Sequence, residues 1–173
     1  MATMEQRRGH FVTRQVEARG VRDPLVLAAM KAVRRELFVP EGLRDEAYSD
    51  TPLPIGSGQT ISQPYIVAFM IEALALRGGE KLLEIGAGSG YAAAVLAEIA
   101  HEVFTIERIG QLAERAAANL AEAGCKNVHV RHADGTEGWS DEAPFDDVGG
   151  GRGSAAHGKA MLIGTWRGQG EKP

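Results

Sequence analysis

The stretch Glu84-Ile85-Gly86-Ala87-Gly88-Ser89-Gly90-Tyr91 sets three glycines behind a single acid. It directly follows a short apolar run, Lys81 to Ile85, and opens a helical pattern. Glycines at such a junction allow a tight turn and let a ligand approach the backbone closely. The helix start beyond supplies free N–H donors. The spacing is G-x-G-x-G, which differs from the G-x-G-x-x-G of dinucleotide folds. Glu84, two positions before the first glycine, can hold an amino group. Seen alone, the loop could also be a plain turn between strand and helix.

Two more groups fall at matching places. Glu107 ends the next apolar run, where an acid accepts hydrogen bonds from both hydroxyls of a ribose. The plainer alternatives are an ion pair with Arg108 or a cap on the following helix. Asp134-Gly135 comes just after the third run and can reach an exocyclic adenine amine, although Asp-Gly is also a common turn dipeptide. Open parallel sheets bind ligands at the C-terminal ends of their strands, so three such sites in succession strengthen one another. A ligand with an amino group, a ribose and an adenine, such as S-adenosylmethionine, fits all three.

Presenting these groups together requires strands that end on one edge. Lys81 to Ile85, Val103 to Ile106 and Val128 to Val130 read as strands. Ala92 to Ala100 and Leu112 to Ala123 read as the helices between them. That alternation predicts a parallel sheet with helices on both faces. Upstream, Met4 to Arg19 reads as one helix stopped by Gly20. Asp23-Pro24 starts a second helix, with Asp as cap and Pro where a missing N–H costs nothing. A third helix follows Ser62-Gln63-Pro64, with Ser62 its expected cap. Between them, Phe38 to Gln63 carries Pro40, Pro52, Pro54, Gly56 and Gly58. It reads as a long irregular loop, and long ordered loops are usually functional.

The bulk properties exclude several classes. With 173 residues, 44% of them hydrophobic and 24% charged, one globular domain is expected. A net charge of −4 with scattered basic residues argues against a nucleic-acid partner, which needs a basic face. The single cysteine, Cys125, rules out an internal disulfide and a cysteine zinc site, and fits a reducing compartment. No signal-peptide core and no membrane-length apolar run is present. The expectation is a cytoplasmic monomer, with no metal and no membrane partner. His101 and His132 lack neighbours at metal-ligand spacing. Trp139 is read as a packed aromatic and Asp141-Glu142 as a solvated pair.

The run Asp50-Thr51-Pro52-Leu53-Pro54-Ile55-Gly56-Ser57-Gly58-Gln59-Thr60-Ile61-Ser62-Gln63-Pro64 resembles the signature loop of the protein-L-isoaspartate O-methyltransferases. Leu83 to Tyr91 resembles their cofactor loop, and Asp134-Gly135-Thr136 and Ala143-Pro144-Phe145-Asp146 their later motifs. Arg22-Asp23-Pro24 and Phe38-Val39-Pro40 also fit. The Thr-Ile-Ser-Gln-Pro run is far more specific than the glycine loop. The resemblance implies a Rossmann-like class I methyltransferase fold preceded by N-terminal helices. It implies S-adenosyl-L-methionine as cofactor, held by Ile61, Ser62, Gln63, Glu84, Gly86, Gly88, Ser89, Gly90, Glu107, Asp134 and Gly135. It makes Ser62 the active-site residue and damaged, isoaspartyl-containing proteins the substrates.

The resemblance stops near residue 148. From Gly149 to Pro173 there are eight glycines in 25 residues, which reads as flexible coil with one possible strand at Ala160 to Ile163. The expected organisation is a domain over 1–148 and an atypical tail over 149–173. The C-terminal part of the sheet is then incomplete, as in a truncated or frame-shifted gene, and the edge of Lys81 to Ile85 is exposed. Three readings stay open: an active repair enzyme, a class I methyltransferase with another substrate, and an inactive remnant that at most binds cofactor.

Overall fold

Thr3 starts the first helix, α1 (Met4–Phe11). Its hydroxyl accepts from the Gln6 N–H at 3.2 Å, and the Gln6 side-chain oxygen accepts from the Thr3 N–H at 2.9 Å. This reciprocal box satisfies two donors that the first turn leaves free. In this computed structural model, which describes residues 2–146 and 161–162, the helix does not run unchanged to Arg19. It widens to a π-turn at Val12–Val16 and tightens to a 3-10 turn at Glu17–Arg19 before Gly20 ends it. Phe11, Val12 and Val16 are all buried. The second helix, α2 (Pro24–Ala32), begins as expected: the Asp23 carboxylate accepts from the Leu25 N–H at 2.8 Å.

The region 38–63 is more ordered than its prolines and glycines suggested. Two 3-10 turns, Arg35–Phe38 and Glu41–Glu46, lead into an antiparallel hairpin of β1 (Leu53–Gly56) and β2 (Gln59–Ile61). Gly56 faces Gln59, so the turn is Ser57-Gly58, at φ 51° and 68°. Two positive φ values give the turn whose twist matches a hairpin. After it, α3 (Pro64–Ala73) is capped by position Gln63 rather than Ser62, and no side chain serves as cap. Pro64 at the first helical position has already removed one donor that a cap would satisfy.

The sheet is built from β3 (Lys81–Ile85), β4 (Glu102–Glu107) and β5 (Val128–His132), all parallel, with a two-residue β6 (Met161–Leu162) beside β3. The strand order is β5-β4-β3-β6. Two helices, α4 (Tyr91–Ala97) and α5 (Gly110–Glu122), connect the strands. Side chains alternate across the pleat. Leu82 and Val103 join Ala92 to Leu96, Leu112 and Leu120 in the main core, while Leu83, Phe104 and Ile106 point the other way.

The expectation of helices on both faces is corrected here. Among the described residues, α4 and α5 share one face. The chain advances in one direction from β3 to β4 to β5, and right-handed crossovers then keep both helices on the same side. The other face is covered by the returning chain after β5. Trp139 and Phe145 stand edge-on to Phe104, at 5.2 and 5.6 Å between ring centroids. Lys81 Nζ lies 4.7 Å from the centre of the Phe104 ring and 3.0 Å from Glu142 Oε2. Trp139 is therefore the packed aromatic expected, while Glu142 is paired rather than merely solvated.

The outer edge of β3 is not bare either. The Lys81 N–H donates to Asp146 Oδ2 at 2.7 Å, and the Asp146 N–H returns to the Lys81 carbonyl at 3.0 Å. At the other end of the strand, Met161 and Leu162 pair with Glu84 and Ile85. The expected strand near Ala160 to Ile163 is thus present as two residues. The rest of the tail, residues 147–160 and 163–173, lies outside the described residues. No described helix is long and apolar enough to cross a membrane.

Candidate active site

Strand register carries Glu84 into the core. It lies opposite Thr105, and both are fully buried on the helix-covered face. The Thr105 hydroxyl donates to Glu84 Oε2 at 2.5 Å. Glu84 Oε1 is buried and has no hydrogen-bond partner. Burial pushes the carboxyl pKa up to about 8. The Thr105 bond opposes the rise, and the nearby Glu107 charge adds to it. A buried acceptor without a partner carries the full desolvation cost.

The glycine loop leaves β3 and turns over the end of β4. The Gly86 and Ala87 N–H groups both donate to the Ile106 carbonyl, at 2.7 and 3.2 Å. Next along the chain, the Gly88 N–H donates to Glu107 Oε2 at 3.0 Å. Glu107 Oε1 accepts from the Ile109 N–H at 2.9 Å, just ahead of α5. Glu107 is buried, and no ion pair with Arg108 exists among the described residues. It therefore ties the loop to the α5 start, and each of its oxygens keeps a further lone pair. Gly90 stands apart from the cleft and packs on α5. It holds φ 90°, and a Cβ there would lie 3.1 Å from Leu120 Cγ. Beside it, Asn119 Nδ2 donates to the Ser89 carbonyl at 2.9 Å.

Across from the loop stands the end of β2. Thr60, Ile61 and Ser62 on one side, and Ala87, Gly88, Ser89 and Tyr91 on the other, line a narrow cleft of about 30 Å³. That is room for only a small group between the two walls. The Ser62 hydroxyl caps no helix N–H. Gln63 turns away from this cleft: its Nε2 donates to the Asp50 carbonyl at 3.0 Å and to Asp50 Oδ2 at 2.7 Å. Asp50 also pairs with Arg19, whose guanidinium stacks over the Tyr65 ring at 3.6 Å. The amide of Gln63 thus fastens the base of the hairpin.

The turn after β5 folds back toward β3. Gly135 packs so tightly on Ile85 that a Cβ would lie 2.3 Å from Ile85 Cγ2. Close approach, rather than a special φ, requires glycine at that position. Asp134 is exposed. Its Oδ1 accepts from the Thr136 N–H at 2.9 Å and the Thr136 hydroxyl at 2.8 Å, which holds its pKa below the usual carboxylate value. The turn role anticipated for Asp-Gly is real, and it sets the pair beside the end of β3.

Among the described residues no group of three or more His, Cys, Asp or Glu is placed to hold a metal ion. His132 Nε2 lies 3.2 Å from the Arg108 carbonyl, and His129 Nε2 lies 2.8 Å from Glu102 Oε1. A larger cavity, about 440 Å³, is lined by Gln6, Arg7, His10, Phe11, Gln15 and Tyr48. It shares none of the residues above. Two partners escaped the sequence reading. Thr105 sits in a strand and gives no motif signal, yet register alone places it opposite Glu84. Arg35 is fully buried, and no motif in the sequence marks it.

The family model for protein-L-isoaspartate(D-aspartate) O-methyltransferase matches residues 6–162. The chain is 68% identical over 141 residues to protein-L-isoaspartate O-methyltransferase 1 of Rhodopseudomonas palustris (strain HaA2), covering 82% of this chain and 58% of that protein. It is 58% identical over 138 residues to the enzyme of Syntrophotalea carbinolica, covering 80% of this chain and 64% of that protein. The chain therefore spans less than two thirds of the length of these curated relatives. A solved protein-L-isoaspartate O-methyltransferase superposes with a TM-score of 0.71 at 28% identity, over 80% of this chain and 46% of that one. A Plasmodium falciparum structure described as a putative member, in complex with S-adenosyl-L-homocysteine, superposes at 0.64 with 24% identity, over 73% and 63%. The fold is the Rossmann-like class I methyltransferase fold with N-terminal helices, and the chain belongs to the protein-L-isoaspartate(D-aspartate) O-methyltransferase family.

Proposed function

We propose that this chain carries out S-adenosylmethionine-dependent methyl transfer to the free carboxylate of L-isoaspartyl residues in damaged proteins. The observation that carries the reading is the unpaired, buried Glu84 Oε1 at the root of the glycine loop. An ammonium group would satisfy it. In the same arrangement Glu107 retains lone pairs for ribose hydroxyls, and the Asp134-Gly135 turn stands on the adenine side. Gly86, Gly88, Ser89 and Gly90 shape the loop. Ile61 and Ser62 close the cleft against it, and Gln63 holds their segment in place.

When bound, the cofactor supplies an electrophilic methyl on a sulfonium. The chain's own part is to bind, orient and exclude water. The acceptor carboxylate is already ionised at neutral pH, since carboxyl pKa values lie near 4, so no general base is needed. The Ser62 hydroxyl orients that carboxylate at the narrow cleft, where alignment of the reacting atoms provides much of the acceleration. The hairpin from Asp50 to Gln63 meets the peptide around the damaged site. On this reading the partners are isoaspartyl-containing peptides and proteins, with no nucleic acid and no membrane. The protein acts as a cytoplasmic monomer. The lone cysteine fits a reducing compartment, and the net charge of −4 fits the absence of a nucleic-acid partner.

The test is transfer of labelled methyl to a peptide containing one isoaspartyl residue, beside the same peptide with normal aspartate. Label is expected on the first and not the second. Ser62→Ala is expected to lower kcat roughly 10- to 100-fold, the size of losing one hydrogen bond to a charged group. Equal labelling of both peptides, or none of either, contradicts the reading.

A further inference from the structure

Arg35 is the largest of the fully buried side chains, and three separate segments meet on its guanidinium. Nε donates to the Ala47 carbonyl at 2.9 Å, and Nη2 donates to the Ser62 carbonyl at 3.0 Å. Cζ lies 4.7 Å from the centre of the ring of Tyr91, the first residue of α4. None of the ion pairs among the described residues involves it. Nη1 is buried with no acceptor.

A buried cation with no carboxylate in ion-pair contact is a costly way to fill space, and a methionine would occupy the same volume without that cost. What a guanidinium does, and an apolar side chain cannot, is donate to two carbonyls through a rigid fork while its flat face packs on a ring. One of those carbonyls belongs to Ser62, and the ring belongs to Tyr91. Ser62 and Tyr91 face each other across the narrow cleft. The two walls come from distant parts of the chain, and Arg35 bridges them.

We infer that Arg35 is a positioning residue: through the Ser62 carbonyl and the Tyr91 ring it sets the spacing between the Ile61-Ser62 wall and the glycine-loop wall. It thereby shapes the cleft at the sulfur end of the cofactor. This rests on the cofactor reading above. It adds that the adenosine end, held by Glu107 and Asp134-Gly135, does not depend on Arg35.

The two ends can be read separately with two probes. S-adenosylhomocysteine carries the sulfur and the amino-acid arm that meet this cleft, whereas adenosine lacks both. Both are titrated into wild type and Arg35→Lys by calorimetry, with adenosine measured by displacement if weak. Lysine keeps the charge but lacks the fork. The S-adenosylhomocysteine affinity is expected to fall about tenfold or more, with adenosine affinity unchanged within about twofold. Arg35→Met, which fills the volume without charge, is expected to show the same split and serves if the lysine variant does not fold. A wild type that binds S-adenosylhomocysteine, with variants that lose both ligands equally or neither, overturns the role of Arg35 alone. A folded wild type that does not bind S-adenosylhomocysteine overturns the cofactor reading and this inference with it.

Discussion

Gly90→Ala is expected to destabilise the protein by roughly 2–6 kcal/mol, a large part of the 5–15 kcal/mol typical of a domain. Two costs add. The residue holds φ 90°, where a side chain strains the backbone. The new Cβ would also lie 3.1 Å from Leu120 Cγ and 3.3 Å from the Ala116 carbonyl oxygen. Neither neighbour can move freely: Leu120 is buried, and Ala116 is fixed in the middle of α5. The natural control is Gly9→Ala. Gly9 lies within α1 with nothing inside 4 Å of a new Cβ, and it should gain up to about 1 kcal/mol from helix propensity. Denaturant unfolding of both variants checks this. A Gly90→Ala midpoint at or above the wild-type value would contradict the packing described for the loop.

Glu84 yields the second large effect, one that changes with pH. Its pKa lies near 8 in the fold and near 4.3 in an unfolded chain. Between those values the folded state binds the extra proton. The stability this group contributes is therefore largest at the acid end and declines as pH rises toward 8, by up to about 1.4 kcal/mol per pH unit. Glu84→Gln cannot ionise and escapes the decline. Thermal unfolding of wild type and variant from pH 5 to pH 8 should show the variant gaining steadily on the wild type. Parallel curves would refute the assignment. The variant should nevertheless bind S-adenosylhomocysteine more weakly, because an ammonium favours the ionised carboxylate. The same residue thus costs stability in the free protein and supplies affinity in the complex, a pattern common at functional sites.

The region from Lys81 to His132 was legible because its punctuation is local. Gly86 to Gly90 marks one strand-to-helix junction, Gly124 follows the end of α5, and apolar runs lie between them. Observed boundaries fall within a few residues of those read from the pattern. The hairpin was missed because Pro54 and the glycines of the 38–63 region speak against strand, whereas an edge pair with a Ser57-Gly58 turn tolerates them. Arg35 was missed because a guanidinium reads as surface, and its burial follows from three contacts far apart in sequence. The covering of the second sheet face was hidden for a similar reason. Trp139 and Phe145 lie in segments without periodicity, and Phe104 draws them in. Of the site, the acids and glycines could be read from type and spacing. The unpaired state of Glu84 Oε1 and the turning of Gln63 onto Asp50 could not, since both depend on which neighbours the fold supplies.

Every role proposed above depends on a site for an S-adenosyl ligand at the ends of β3, β4 and β5. Calorimetric titration of the folded wild-type chain with S-adenosylhomocysteine at pH 7 tests it most directly, repeated in two buffers of different ionisation enthalpy. Saturable one-to-one binding is expected, with proton release as the ligand's ammonium converts Glu84 from the protonated form that burial favours. Absence of binding in a cooperatively folded sample would overturn the site, and binding with no proton released would overturn the ionisation of Glu84 by the ligand.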